Sequence, residues 1–116
     1  MNEDYVKVAR LSELSEGTPV DVEVDGQVLV LVNVEGDVYA VSAWCSHLGT
    51  SLALGTMDGH TLMCWAHLWR YDVRTGEPIW PPLAKIAPCY RLRVYPTKVE
   101  GDDVYVSRMP RRGGLI

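Results

Sequence analysis

The sequence predicts an all-β protein, an antiparallel sandwich or barrel, and three observations carry that expectation. Val20, Val22 and Val24 alternate with Asp21, Glu23 and Asp25, and Tyr90, Leu92 and Val94 alternate with Arg91 and Arg93. This is the period-two pattern of strands that are wet on one side. Turn signals such as Asp25-Gly26, Asp58-Gly59, Thr75-Gly76 and Gly101-Asp102 recur at short intervals, as they do where many short strands follow one another. No segment keeps a helical period over ten or more residues, and an all-β arrangement of packed sheets is what remains.

The elements follow in order. Val6 and Val8 flank Lys7 in a short first strand, and Leu11-Ser12-Glu13-Leu14 suggests one helical turn, ended by Gly17 and Pro19. The Val20–Val24 strand turns at Asp25-Gly26, a hairpin signal. The run from Val28 to Val34 is apolar on both faces and reads as a central strand. Glu35-Gly36-Asp37 leads into Val38-Tyr39-Ala40-Val41. Thr61-Leu62-Met63, Trp69 to Asp72, the segment through Tyr90, Leu92 and Val94, and Val104-Tyr105-Val106 complete the expected strands. There is no internal repeat and no low-complexity stretch.

The chain is 116 residues long, of which 47% are hydrophobic and 22% charged. That is enough for one domain with a real core and no disulfide staples. Residues 1–108 are expected to form it, with 109–116 a loosely held basic tail containing Arg111 and Arg112. The opening Met1-Asn2-Glu3-Asp4 lacks the features of a signal peptide, and the longest apolar run, Val28 to Val32, is too short to span a bilayer. A cytoplasmic protein with no membrane partner is expected. Net charge is −4, which argues against nucleic acid. Residues 1–63 hold ten acids and two bases, and residues 64–116 hold five acids and nine bases. That asymmetry suits a dipolar molecule oriented by long-range field, or simply a sheet with differently solvated faces.

The chemistry is concentrated between Cys45 and His67. Cys45-Ser46-His47 is followed, after sixteen residues, by Cys64-Trp65-Ala66-His67, and these boxes take four of the six Cys and His residues in the chain. Two thiolates and two neutral imidazoles suit tetrahedral zinc, and equally suit an iron–sulfur centre with two histidine ligands. Zinc fingers usually pair like with like, whereas here each box pairs one Cys with one His. No nucleophile–base pattern, phosphate loop or nucleotide fingerprint remains once the ligands are taken, so no enzyme activity is expected.

The spacing C-x-H…C-x₂-H resembles the signature of the Rieske [2Fe–2S] proteins. His47-Leu48-Gly49, the run His67-Leu68-Trp69-Arg70-Tyr71-Asp72 with Thr75-Gly76, and Trp80-Pro81-Pro82-Leu83 resemble the family's first box, second box and proline loop. The resemblance runs from about Val6 to Ser107 and implies a Rieske-type sandwich with a small cluster-binding lobe at about 44–84. It implies Cys45 and Cys64 on the inner iron and His47 and His67 on the outer one. The extra cysteines of respiratory members are replaced by Thr50 and Ala66. With two thiolates and neutral imidazoles, the formal charge is zero oxidised and −1 reduced, which suits potentials of about −150 to +300 mV.

Within the family, Ala66-His67-Leu68-Trp69 and the stretch around Cys89-Tyr90 look most like the ferredoxins of multicomponent toluene- and alkene-type di-iron monooxygenases. Ring-hydroxylating dioxygenase ferredoxins usually carry glycines at the Leu68 and Trp69 positions. The implied role is one-electron transfer from an NADH-dependent flavin reductase to an oxygenase hydroxylase component, by a protein monomeric when free. The alternatives are a dioxygenase ferredoxin and, from another class, a structural zinc module. The resemblance also implies that Tyr71 donates a hydrogen bond to a cluster sulfur, while Trp69 stands where high-potential members have Ser. Trp69 is expected to shield the cluster and face a partner, and Trp44, Trp65 and Trp80 to form a packed shell around it. His60 reads as an ordinary surface residue and Cys89 as packing.

Overall fold

The computed structural model describes residues 4–45, 51–66, 68–82 and 90–111. Three antiparallel sheets are stacked so that the middle one faces two cores. The middle sheet has the order β2 (Val20–Val24), β3 (Gln27–Val34), β4 (Asp37–Ser42), β9 (Val94–Tyr95). On one side lie β1 (Tyr5–Arg10), β11 (Asp103–Ser107) and β10 (Thr97–Glu100). On the other lies a small sheet of three-residue strands: β5 (Thr56–Asp58), β6 (Thr61–Met63), β7 (Arg70–Asp72) and β8 (Pro78–Trp80).

The unbroken apolar run of β3 follows from this stacking. Leu29 and Leu31 join Val38, Ala40, Val104 and Val106 in one core, while Val30, Val32 and Val34 join Val41, Leu62 and Tyr71 in the other. Side chains alternate between faces along a strand, so the stretch Val28 to Val32, covered on both faces, is apolar at every position. The turns match their sequence signals: Asp25 and Gly26 have φ of 53° and 83°, Glu35 and Gly36 of 54° and 93°, the left-handed pair that a two-residue hairpin requires. The expected helical turn is a 3-10 turn at Leu11–Glu13. No helix among the described residues is long and apolar enough to cross a membrane.

Two expectations need correction. The alternating run from Tyr90 to Val94 is a strand only at Val94–Tyr95, because Tyr90 leaves the ladder to pack against Trp69 in the second core. The tail is not loose as far as Arg111: its backbone N–H donates to the Val94 carbonyl at 2.6 Å and its guanidinium to the Arg74 carbonyl at 2.8 Å. The expected strands did not include β5 and β8, which appear only through their pairing with β6 and β7.

Candidate metal centre

Both boxes are loops whose bases are drawn together by backbone hydrogen bonds. The first leaves β4 and returns through a bridge between Trp44 and Ser51, with the Leu52 N–H donating to the Ala43 carbonyl at 2.7 Å. Ser51 then caps the 3-10 turn Leu52–Leu54 through its hydroxyl. A methyl group at Gly55 would collide with the Met63 carbonyl oxygen, so only glycine lets this return lie against β6. The second box is the tip of the β6–β7 hairpin, where Met63 faces Arg70. The Cys64 N–H donates to the Trp69 carbonyl at 2.7 Å and the Leu68 N–H to the Cys64 carbonyl at 3.0 Å. Leu68 closes this turn at φ 63°, in the left-handed region.

These loops put Cys45 and Cys64 in one core, 2% and 0% exposed, beside Leu62, Val73 and Tyr71. The Tyr71 hydroxyl lies 3.3 Å from Cys45 Sγ, so a residue of the second hairpin reaches the cysteine of the first box. Tyr71 is fully buried on the inward face of β7. His47, His67, Cys89, Thr50 and Leu83 lie outside the described residues. Among the described residues no three His, Cys, Asp or Glu side chains converge on a cation-sized space.

The tryptophans are arranged opposite to expectation. Trp69 is 9% exposed and packs edge-on against Tyr90, ring centroids 4.9 Å apart. Trp44, Trp65 and Trp80 are instead about half exposed, as is Leu68 at the turn. The cause is pleat: two residues before Tyr71 on the hairpin arm, Trp69 shares its inward direction, whereas Trp65 sits at the open tip. His60 is not an ordinary surface residue either. It follows the β5–β6 turn half-buried, with Nε2 3.5 Å from the Tyr39 hydroxyl and its ring edge-on to Tyr39 of β4. Its carbonyl accepts from Val73 N–H, so it joins the small sheet to the middle one. A lone histidine after an Asp-Gly turn gives no sign of that contact in sequence.

At the far end of the small sheet, Arg74 grips Asp72 with two guanidinium bonds of 3.0 and 2.9 Å and a backbone bond of 2.8 Å. Burial pushes the Asp72 carboxyl up, but the hydrogen bonds and charge of Arg74, with a smaller contribution from His60, hold it below its usual value of 3.8.

Two buried thiols are thus brought into one core by two loops of an all-β scaffold. The profile of the Rieske [2Fe-2S] domain matches residues 4–96, and the chain belongs to that family. It is 32% identical over 107 residues to the ferredoxin component of a naphthalene 1,2-dioxygenase system from Pseudomonas aeruginosa, covering 92% of this chain and 98% of that protein. It is 35% identical over 104 residues to the biphenyl dioxygenase ferredoxin subunit of Pseudomonas sp. strain KKS102, covering 89% and 91%. It also superposes, with a TM-score of 0.83 and 30% identity, on a chain from the complex of reduced oxygenase and oxidised ferredoxin in carbazole 1,9a-dioxygenase, covering 96% of this chain and 99% of that one. The cofactor is accordingly a Rieske-type [2Fe–2S] cluster. The described residues fit it: both thiols are buried, and a phenol hydroxyl stands within reach of one sulfur.

Proposed function

We propose that the protein is the ferredoxin of an aromatic-oxygenating system, a one-electron carrier that a reductase, NADH-dependent, charges and an oxygenase component discharges. When bound, the cluster supplies a one-electron couple. Cys45 and Cys64 would hold one iron and His47 and His67 the other, and the neutral imidazoles would favour a higher potential than four thiolates. A thiolate on iron can only accept, so the Tyr71 hydroxyl donates to Cys45 Sγ and favours the more negative reduced state. The observation that supports this reading best is the burial of both box cysteines in one core, while Trp44, Trp65 and Leu68, beside them in sequence, and Trp80, paired with Arg70, stay about half exposed. Apolar and aromatic groups of that kind suit a small, transient contact.

Between oxygenase classes, the relatives named above support a ring-hydroxylating dioxygenase. A second reading, the hydroxylase of a toluene- or alkene-type di-iron monooxygenase, has one observation in its favour. The two segments that resemble that group, Leu68-Trp69 and the stretch at Tyr90, touch each other through the Trp69–Tyr90 contact, so the departures form one packed unit. Leu68 also keeps a left-handed φ that glycine would adopt without strain.

Anaerobic purification tests the carrier role: a reddish-brown protein with two irons per chain, reduced by NADH through a ferredoxin reductase, is expected. A colourless zinc protein would overturn it. Reconstitution with candidate oxygenase components then separates the classes, dihydrodiols marking a dioxygenase and phenols or epoxides a monooxygenase.

A further inference from the structure

The uneven charge of the sequence becomes an uneven sheet. In the middle layer β2 is one edge and β9 the other, with two strands between them, so the edges stand roughly 14 Å apart at ordinary strand spacing. Asp21 and Glu23 are exposed on β2, and neither joins an ion pair among the described residues. The β9 edge instead gathers arginines from three segments: Arg91 and Arg93 before the strand, Arg74 in the β7–β8 turn, and Arg111 in the tail.

Backbone contacts hold this group together. Arg111 is tied to Val94 and Arg74 as described above, and the Arg91 guanidinium donates to the Thr75 carbonyl at 3.3 Å. Leu92 N–H donates to the Gly76 carbonyl at 2.8 Å, an approach so close that a methyl group at Gly76 would collide with the Leu92 carbonyl. Thr75, Arg91, Arg93 and Arg111 line one cleft of about 40 Å³, and Arg74 and Arg111 share another. Asp72 is taken by Arg74, and Glu77 lies 3.5 Å from Arg91. Four arginines less two carboxylates leave +2 at this edge, in a chain whose net charge is −4. Arg93 and Arg111 have no ion-pair partner among the described residues.

The edge also runs up to the first box. Ser42 N–H donates to the Arg93 carbonyl at 3.0 Å, and Arg93 N–H donates to Ser42 Oγ at 2.8 Å. Arg93 is therefore level with Ser42, the last residue of β4 and three residues before Cys45, so at most about 10 Å of chain separates the two.

We propose that this arginine edge is a docking rim for a carboxylate-rich surface on an electron-transfer partner, an inference that rests on the carrier role above. Charges beyond a Debye length of about 8 Å are screened at physiological salt, so a partner at contact feels the local +2 rather than the overall −4. Guanidinium forks match carboxylates in geometry, and acids on the opposite edge make a dipole that turns this edge towards such a partner. Of the four arginines, Arg93 lies nearest the first box through its contact with Ser42, while Arg74 stands at the end of the small sheet away from it.

The test is charge reversal in the holoprotein, Arg93→Glu with Arg111→Glu, against Asp21→Lys with Glu23→Lys on the far edge. Stopped-flow electron transfer with the reductase and with the oxygenase is measured across a salt series. The arginine variant should slow the second-order rate with at least one partner by roughly tenfold at low salt, flatten its salt dependence and leave the midpoint potential unmoved. Unchanged rates with both partners would overturn the docking rim. If even the unaltered protein passes electrons to neither partner, the carrier role fails, and binding to poly-L-glutamate then decides the rim. Chemical-shift changes at Arg91, Arg93 and Arg111, abolished by the reversal, support it; their absence overturns it.

Discussion

The two faces of β3 look onto cores of different chemistry. Leu29 and Leu31 face Val24, Val38, Val104 and Val106, so that this core is aliphatic apart from Tyr95, whose hydroxyl reaches Gln27 at 3.0 Å. Val30 and Val32 face a core that also contains Cys45, Cys64, Trp69 and Tyr71. Burying aliphatic side chains is favourable without further conditions, at about 25 cal/mol per Å² removed from water. A buried phenol hydroxyl or thiolate is tolerable only with a partner. The first core therefore stabilises the fold by itself, whereas the second, with Cys45 and Cys64 in the ligand roles proposed above, would be complete only when its sulfurs are bound. It is roofed by three-residue strands, which make few ladder bonds of their own.

The largest effect that separates the cores is loss of a cysteine. Cys64→Ala should abolish iron binding and expose the β5–β8 amides to rapid hydrogen exchange, while β2, β3 and β4 stay protected. Uniform loss of protection across all three sheets would show that the cores are not separable. Trp69→Ala should come next, costing about 3–5 kcal/mol as a large buried ring is removed, read as a lowered denaturant midpoint. Trp65→Ala, at an exposed tip, should leave that midpoint nearly unchanged and slow electron delivery instead. The reverse assignment would return Trp69 to the docking surface.

Smaller changes sharpen the contrast. Tyr71→Phe should keep two irons per chain and lower the midpoint potential by an amount on the order of tens of millivolts, since only the difference in hydrogen bonding between redox states counts. An unmoved potential in voltammetry would show that the hydroxyl merely packs. The smallest effect belongs to Asp72, at the end of the small sheet away from the box. Its folded carboxyl titrates below 3.8, so its contribution is fully present above that value and is lost as pH falls through the folded pKa. Asp72→Asn should thus be slightly destabilising at pH 7, with the difference from the parent shrinking as pH falls below 3.8, by thermal unfolding.

Sequence alone determined the elements whose cause is local. Val20–Val24 alternates because one face is wet, Asp25-Gly26 turns because it tolerates positive φ, and Val28 to Val32 in β3 is apolar throughout because both faces are covered. The two boxes were legible because soft ligands are rare and their spacing is distinctive. Tertiary structure decided what depends on a neighbour distant in sequence. Tyr90 leaves its strand for Trp69, His60 finds Tyr39, the Tyr71 hydroxyl meets Cys45, and four arginines from three segments converge on one edge. Trp69 and Trp65 show the limit most plainly: both are tryptophans beside a ligand, and only the pleat of the hairpin arm, fixed by pairing of β7 with β6, sends one inward and leaves the other in water.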